Sequence, residues 1–237
     1  PVRAYALIGP RENKGNVRGL DGVVVPMIGR EEELAILRRM IAETISDHRG
    51  RIALVIGEAG IGKTRLTAEL KSSLDREEIL ILQGQSLTYR RSVSYWIFIE
   101  VLLDYLQTPP GAERDVIHQR LISKVQPLLS QAAKLVLPYL EYLLSLEHSD
   151  EGATHRLGLL NAEQLRQQTF LAMRAWLGAL AVKTPVLIIL EDLHWADDVS
   201  LDLLSYLVTG IDQFPIMILA LSRPDYKERL IELARHG

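Results

Sequence analysis

Four short runs in this chain are wholly apolar: Ile52-Ala53-Leu54-Val55-Ile56, Ile79-Leu80-Ile81-Leu82, Val186-Leu187-Ile188-Ile189-Leu190 and Ile216-Met217-Ile218-Leu219-Ala220-Leu221. Each has strand length and none alternates with polar residues, so each predicts a strand buried on both faces, as in a parallel sheet. Elsewhere apolar residues return every three or four positions. Leu34, Ile36, Leu37, Met40 and Ile41 give one face of a helix that packs on the sheet, with Glu31, Glu32 and Glu33 in its first turn where they complement the helix dipole. The segment from Lys63 to Leu74 has the same spacing, and so does the one holding Leu201, Leu203, Leu204 and Leu207. From about 94 to 182 no strand pattern occurs. Tyr95, Trp96, Phe98, Ile99, Leu102, Leu103 and Leu106 predict one amphipathic helix, ended by Pro109-Pro110-Gly111, and further helices follow near 112 to 129 and 131 to 146. Asn161 with Gln164 has the form of a capping box for a helix running towards Val182. The aromatic residues of this insert read as core. Strands alternating with helices predict an α/β domain with a parallel sheet.

The polar signals fall at the carboxyl ends of these strands, where such sheets bind ligands. After the first strand comes Gly57-Glu58-Ala59-Gly60-Ile61-Gly62-Lys63-Thr64, and a helix follows it. Strand, glycine loop and helix in this order predict a phosphate-binding loop. The glycines let backbone N–H groups turn inward, and the helix adds the positive end of its dipole. Lys63 would reach the β- and γ-phosphates, and the Thr64 hydroxyl would be a ligand of Mg²⁺. After the third strand come Glu191 and Asp192. Adjacent carboxylates at the end of a buried strand cost desolvation energy unless a cation is near, and a nucleotide-bound metal would be that cation. By position Glu191 would serve the metal and Asp192 would polarise an attacking water, although the usual metal residue is Asp. Arg223, at the end of the fourth strand, has the planar fork to sense a γ-phosphate, with an ion pair to Asp225 as the alternative. His194 reads equally as a general base or as packing beside Trp195, Asp197 or Asp198 as a helix cap, and Arg90 and Arg91 as a solvated loop.

Composition changes little in this picture. The 237 residues are 48% hydrophobic and 24% charged, ordinary for a globular protein, and no apolar run reaches the roughly 18 residues that cross a bilayer. The absence of cysteine removes disulfide and thiolate chemistry and fits a reducing, cytoplasmic setting. A net charge of -3 offers no bulk attraction to nucleic acid. Residues 1–24 hold one short apolar run and then polar, glycine-bearing sequence, so they read as a linker from a preceding domain, with one domain over 25–237. The chain opens at Pro1 without methionine and stops at Gly237 after a helical pattern, as a piece of something longer would.

Four motifs in order carry a resemblance. Pro26-Met27-Ile28-Gly29-Arg30-Glu31, Gly57 to Leu66, Leu190-Glu191-Asp192-Leu193-His194-Trp195-Ala196-Asp197 and Ser222-Arg223-Pro224-Asp225 are similar to the nucleotide-binding domain of STAND signal-transduction ATPases, AAA+-like P-loop proteins. The subgroup it resembles is fused to class III adenylyl or guanylyl cyclases and to large LuxR-type transcriptional regulators, and the leader from Tyr5 to Gly22 resembles the join after a cyclase domain. The resemblance implies a P-loop NTPase three-layer sandwich with strand order phosphate-loop, fourth, third, second. It also implies a site formed by Ile28 and Arg30 as adenine contacts, by Gly57, Ala59, Gly60, Ile61, Gly62, Lys63, Thr64 and Arg65 around the phosphates, and by Glu191, Asp192 and Arg223 as catalytic groups. ATP or ADP with Mg²⁺ would be bound, the cation by Thr64 and Glu191. The family's fifth strand, winged-helix region and helical repeats would lie beyond residue 237. Two functions follow from these residues, a slow ATPase that times a signalling switch and a module that only holds nucleotide and displays a partner surface. Asn-Lys-x-Asp, the mark of GTP specificity, does not follow the acidic strand.

Overall fold

The computed structural model describes residues 29–109, 111–147 and 151–234. The expected linker over residues 1–24 and the expected base contact Ile28 lie outside these. In chain order the elements are α1 (Glu31–Asp47), β1 (Arg51–Ile56), α2 (Lys63–Ser72), β2 (Leu80–Gln85), α3 (Trp96–Leu106), α4 (Arg114–Leu129), α5 (Ala133–Leu143), α6 (Glu151–Gly158) and α7 (Ala162–Lys183). They continue with β3 (Val186–Glu191), α8 (Asp198–Val208), β4 (Ile216–Ser222) and α9 (Lys227–Ala234).

All three strand pairings are parallel, and the order across the sheet is β1-β4-β3-β2, as the resemblance implies. The register aligns the carboxyl ends: Ile56 lies opposite Ser222, and Gln85 opposite Glu191. Side chains alternate across the sheet and feed two cores. Leu187, Ile189, Met217, Leu219 and Leu221 meet Leu34, Leu37 and Ile41 of α1 and Leu66 and Leu70 of α2 on one face. Val186, Ile188, Leu190, Ile216, Ile218 and Ala220 meet the helices of the insert, α8 and α9 on the other. The result is a three-layer α/β sandwich with β3 and β4 buried along their whole length.

Three sequence expectations shift in detail. Ile36 is 46% exposed, and the buried face of α1 is Leu34, Leu37, Ile41 and Thr44 instead. The insert gains α6, which no apolar spacing announced. β2 runs on past the apolar run that ends at Leu82, through Gln83-Gly84-Gln85. β2 lies at the margin of the described sheet, so a glutamine can stand in it with a polar partner: Gln83 Oε1 accepts from Lys71 Nζ at 2.6 Å, and its backbone N–H donates to Asp104 Oδ2 at 2.9 Å. Gly84 is required by close approach, since a Cβ there would stand 2.2 Å from the backbone oxygen of Ile97 on α3. The capping box at Asn161 is present in both directions: the Gln164 N–H donates to Asn161 Oδ1 at 2.9 Å, and the Asn161 N–H donates to Gln164 Oε1 at 3.0 Å.

Candidate functional site

The loop from Gly57 to Gly62 leaves β1 and delivers the chain to α2. It is anchored where the Gly57 N–H donates to the backbone oxygen of Ser222 at 3.2 Å, which ties it to the end of β4. Gly60 and Gly62 have φ of 80° and 99°, the left-handed region that glycine enters without strain, and a Cβ on either would meet nothing within 4 Å. Gly62 is the last residue before α2, so the first backbone N–H groups of that helix face the loop. Ala59 and Gly60 are exposed, Ile61 is 48% exposed, and Arg65 is half-buried in the first turn of α2.

Lys63 folds back over the loop. Its ammonium donates to the backbone oxygens of Gly57 at 2.6 Å and Glu58 at 2.9 Å. The cation is thereby held at the centre of the curl with neutral acceptors only, and phosphate oxygens would be stronger acceptors for the same donor.

Glu191 is the last residue of β3, and alternation sends its side chain to the face covered by α2. It is 5% exposed, and burial pushes its carboxyl above the ordinary range. Its polar partner is Thr67, one helical turn beyond Thr64: Thr67 Oγ1 lies 3.1 Å from Glu191 Oε1 and 2.9 Å from the backbone oxygen of Thr64. A hydroxyl has one proton for these two acceptors, so an ionised Glu191 is under-satisfied and calls for a proton or a cation. Asp192 follows in the left-handed region, φ 56° and ψ 41°, which Asp tolerates better than most side chains, and its Oδ2 accepts from Gln85 Nε2 at 3.0 Å. Lys63, Glu191 and Asp192 therefore stand at the same end of the sheet, beyond β1 and at the end of β3, to either side of β4.

Arg223 leaves β4 with its guanidinium 5.6 Å from the centre of the Trp195 ring, and it forms no ion pair with Asp225. His194 is buried, with its ring 4.9 Å from that of Trp195, and neither ring nitrogen has a hydrogen-bond partner. Burial lowers its pKa, with Asp192 acting in the opposite sense and Arg223 adding to the fall, so the imidazole is neutral near pH 7. Asp197 is the cap of α8, accepting from the Ser200 N–H at 2.9 Å, while Asp198 pairs with Arg229 at 2.8 Å. Arg90 lies 4.6 Å from the centre of the Trp96 ring.

Arg30 is not drawn into this cluster. It precedes α1 and pairs with Glu33 within its own first turn. Sequence reasoning passed over Thr67 and Gln85. Thr67 carries the helical signal of a polar residue three positions after Thr64, and Gln85 that of a polar residue at a strand end.

The donor set suits a polyphosphate and its cation: a helix N-terminus and an ammonium at the loop, and an under-satisfied carboxylate at the end of β3 on the face that α2 covers. Among the described residues no cluster of three or more His, Asp or Glu could hold a metal ion alone.

The chain is 23% identical over 254 aligned positions to the uncharacterized protein R02095 of Rhizobium meliloti (strain 1021), an alignment covering 99% of the chain and 22% of that protein. It thus spans about a fifth of the length of the curated relative it matches. A chain in the structure of Drosophila ORC bound to DNA superposes with a TM-score of 0.48 at 13% identity, over 95% of this chain and 50% of that one. The model of the AAA ATPase domain matches residues 26–219, and the chain belongs to that family.

Proposed function

We propose that this AAA ATPase domain binds ATP with Mg²⁺ and hydrolyses it slowly, as the nucleotide switch of a larger signalling or regulatory protein of the STAND class. The observation that carries the reading is the meeting of three strand ends: the Lys63 loop after β1, the Glu191-Asp192 pair after β3 and Arg223 after β4. Residues 25–237 would form the domain and 1–24 a linker to a preceding one; the cytoplasm is the proposed setting. No helix among the described residues is long and apolar enough to cross a membrane. The low coverage of the longer relative agrees with a multidomain parent, and the four motifs of the sequence support a parent of the cyclase-linked or LuxR-type kind.

In this reading each residue has a physical task. The N–H groups at the start of α2 and the Lys63 ammonium would bind and orient the β- and γ-phosphates, with Lys63 exchanging its two loop carbonyls for phosphate oxygens. Magnesium would neutralise charge on the transferred phosphoryl group, with Thr64 and Glu191 as its protein ligands. Thr67, bonded to Glu191, fixes the carboxylate against α2. Asp192, held by Gln85, would orient the attacking water. Arg223 would leave the face of Trp195 or turn on it to meet the γ-phosphate. His194, neutral near pH 7 beside Trp195, adds no charge. Ile28 and Arg30 would contact adenine, Arg30 giving up Glu33 to do so.

Calorimetric titration with ATP, ADP and GTP in Mg²⁺, followed by single-turnover hydrolysis, tests the proposal. Lys63→Ala should weaken binding by about 100-fold, the loss expected when two charge-assisted bonds of about 1.5 kcal/mol each disappear. Asp192→Asn should leave binding intact and slow hydrolysis by about 10²- to 10⁴-fold. Tight adenine-nucleotide binding with no hydrolysis in a longer chain extended past Gly237 would favour the holding module instead. Preference for GTP, or binding indifferent to Lys63→Ala, would overturn the site.

A further inference from the structure

A cavity of about 280 Å³ opens at the opposite end of the sheet, between the start of β2, the carboxyl-terminal parts of α4 and α7, and Tyr105 near the end of α3. Its wall is apolar at Leu80, Leu180 and the Tyr105 ring and also carries the cations Arg76, Lys124 and Lys183. The single acid on its wall is Glu77. None of these three cations makes an ion pair within 4.0 Å among the described residues. Lys124 is the most constrained of them. Its ammonium lies 5.4 Å from the centre of the Tyr105 ring and donates to neutral acceptors, the Tyr105 backbone oxygen at 3.0 Å and Gln107 Oε1 at 3.4 Å. Burial and the neighbouring Arg120 both lower its pKa, the condition that an anion would relieve.

Like charges gathered around an apolar hollow of this size are unfavourable alone and favourable around an anion with an apolar body. We infer that this cavity binds a small amphipathic organic anion, a carboxylate or phosphate monoester on a short acyl or aryl body. The body lies against Leu80, Leu180 and Tyr105, and the charged group among Arg76, Lys124 and Lys183. The length of β2, six residues at about 3.3 Å each, puts it roughly 20 Å from the strand ends that carry Gln85 and Asp192, so it is separate from the nucleotide site and does not depend on the reading of that site.

The test is calorimetric titration of the Lys63→Ala protein, which removes anion binding at the loop, with phenyl phosphate, hexanoate and inorganic phosphate. Phenyl phosphate or hexanoate should bind more tightly than inorganic phosphate, and whichever binds identifies the headgroup. Lys124→Met and Lys183→Gln should each weaken that binding at least tenfold, and added salt should weaken it further. Lys183 is exposed in the last turn of α7, so its substitution leaves the fold intact even if Lys124→Met does not. Binding of neither organic anion, equal binding of inorganic phosphate, or binding indifferent to both substitutions would overturn the inference. A ligand that binds the unsubstituted protein and is lost in Lys63→Ala would overturn it too, because the loop would then be its site.

Discussion

Glu191 shows how much one buried carboxyl can shape a site. The folded state holds its proton more tightly than the unfolded chain does, because burial raises its pKa above the ordinary value of 4.5. The stabilising contribution of the protonated form is therefore complete below about pH 4.5 and is lost as pH rises through the raised folded value. In a chelator, without nucleotide, Glu191→Gln should melt with the parent near pH 4 and a few degrees higher at pH 7, about 2–4 °C for each kcal/mol of relieved burial cost. Melting curves at the two pH values decide it; a variant less stable at pH 7 would mean that the carboxylate is already well compensated. At this scale the sequence was informative about types and silent about partners. Lys63, Glu191 and Asp192 could be chosen from their places at strand ends. That Thr67 meets Glu191 across 124 positions, or Gln85 meets Asp192 across 107, depends on which faces the strands present, and no local pattern encodes that.

At the scale of elements, the close contact of α3 with β2 governs the edge of the sheet. A methyl group on Gly84 would meet the Ile97 backbone oxygen, which cannot rotate away, so Gly84→Ala should destabilise the protein by about 3 kcal/mol. Denaturant unfolding would measure the loss, and a cost under about 1 kcal/mol would show that α3 can retreat. The sequence marked β1, β3 and β4 as buried runs because these strands are apolar along most of their length; β3 and β4 are buried throughout, whereas β1, at the margin of the described sheet, is buried at Ala53 and half-buried elsewhere. β2 was cut short because its last three residues are Gln-Gly-Gln, whose strand conformation is stabilised by Lys71, Asp104 and α3 rather than by their own pattern. The capping box of α7 was legible for the opposite reason, since its partners are three residues apart. α6 has a weakly apolar, eight-residue sequence with no such local signature.

For the whole molecule, nucleotide binding and folding should be linked. A ligand that bridges the loop, Glu191 and Arg223 binds only the assembled sheet, so Mg-ATP at about 100 times its dissociation constant should add about 2.7 kcal/mol of stability. Thermal melting should then rise by about 5–10 °C, and by only about 1–2 °C in Lys63→Ala. An equal rise in both proteins would place the bound nucleotide elsewhere.

The strand order has a further consequence for how the chain is made. β4 is the last strand in sequence but lies between β1 and β3 in space, and β1 pairs with no other described strand. During synthesis from the amino terminus, the phosphate loop emerges more than 150 residues before Ser222, whose backbone oxygen receives the Gly57 N–H. Until then β2 and β3 can pair with each other, while β1 has no described neighbour to close against. The two halves of the sheet are joined by a late wedge, which makes these contacts highly non-local and the nucleotide site among the last features to form. A nascent chain stopped before Ile216 would have its phosphate loop already synthesised, yet nothing to hold it in place.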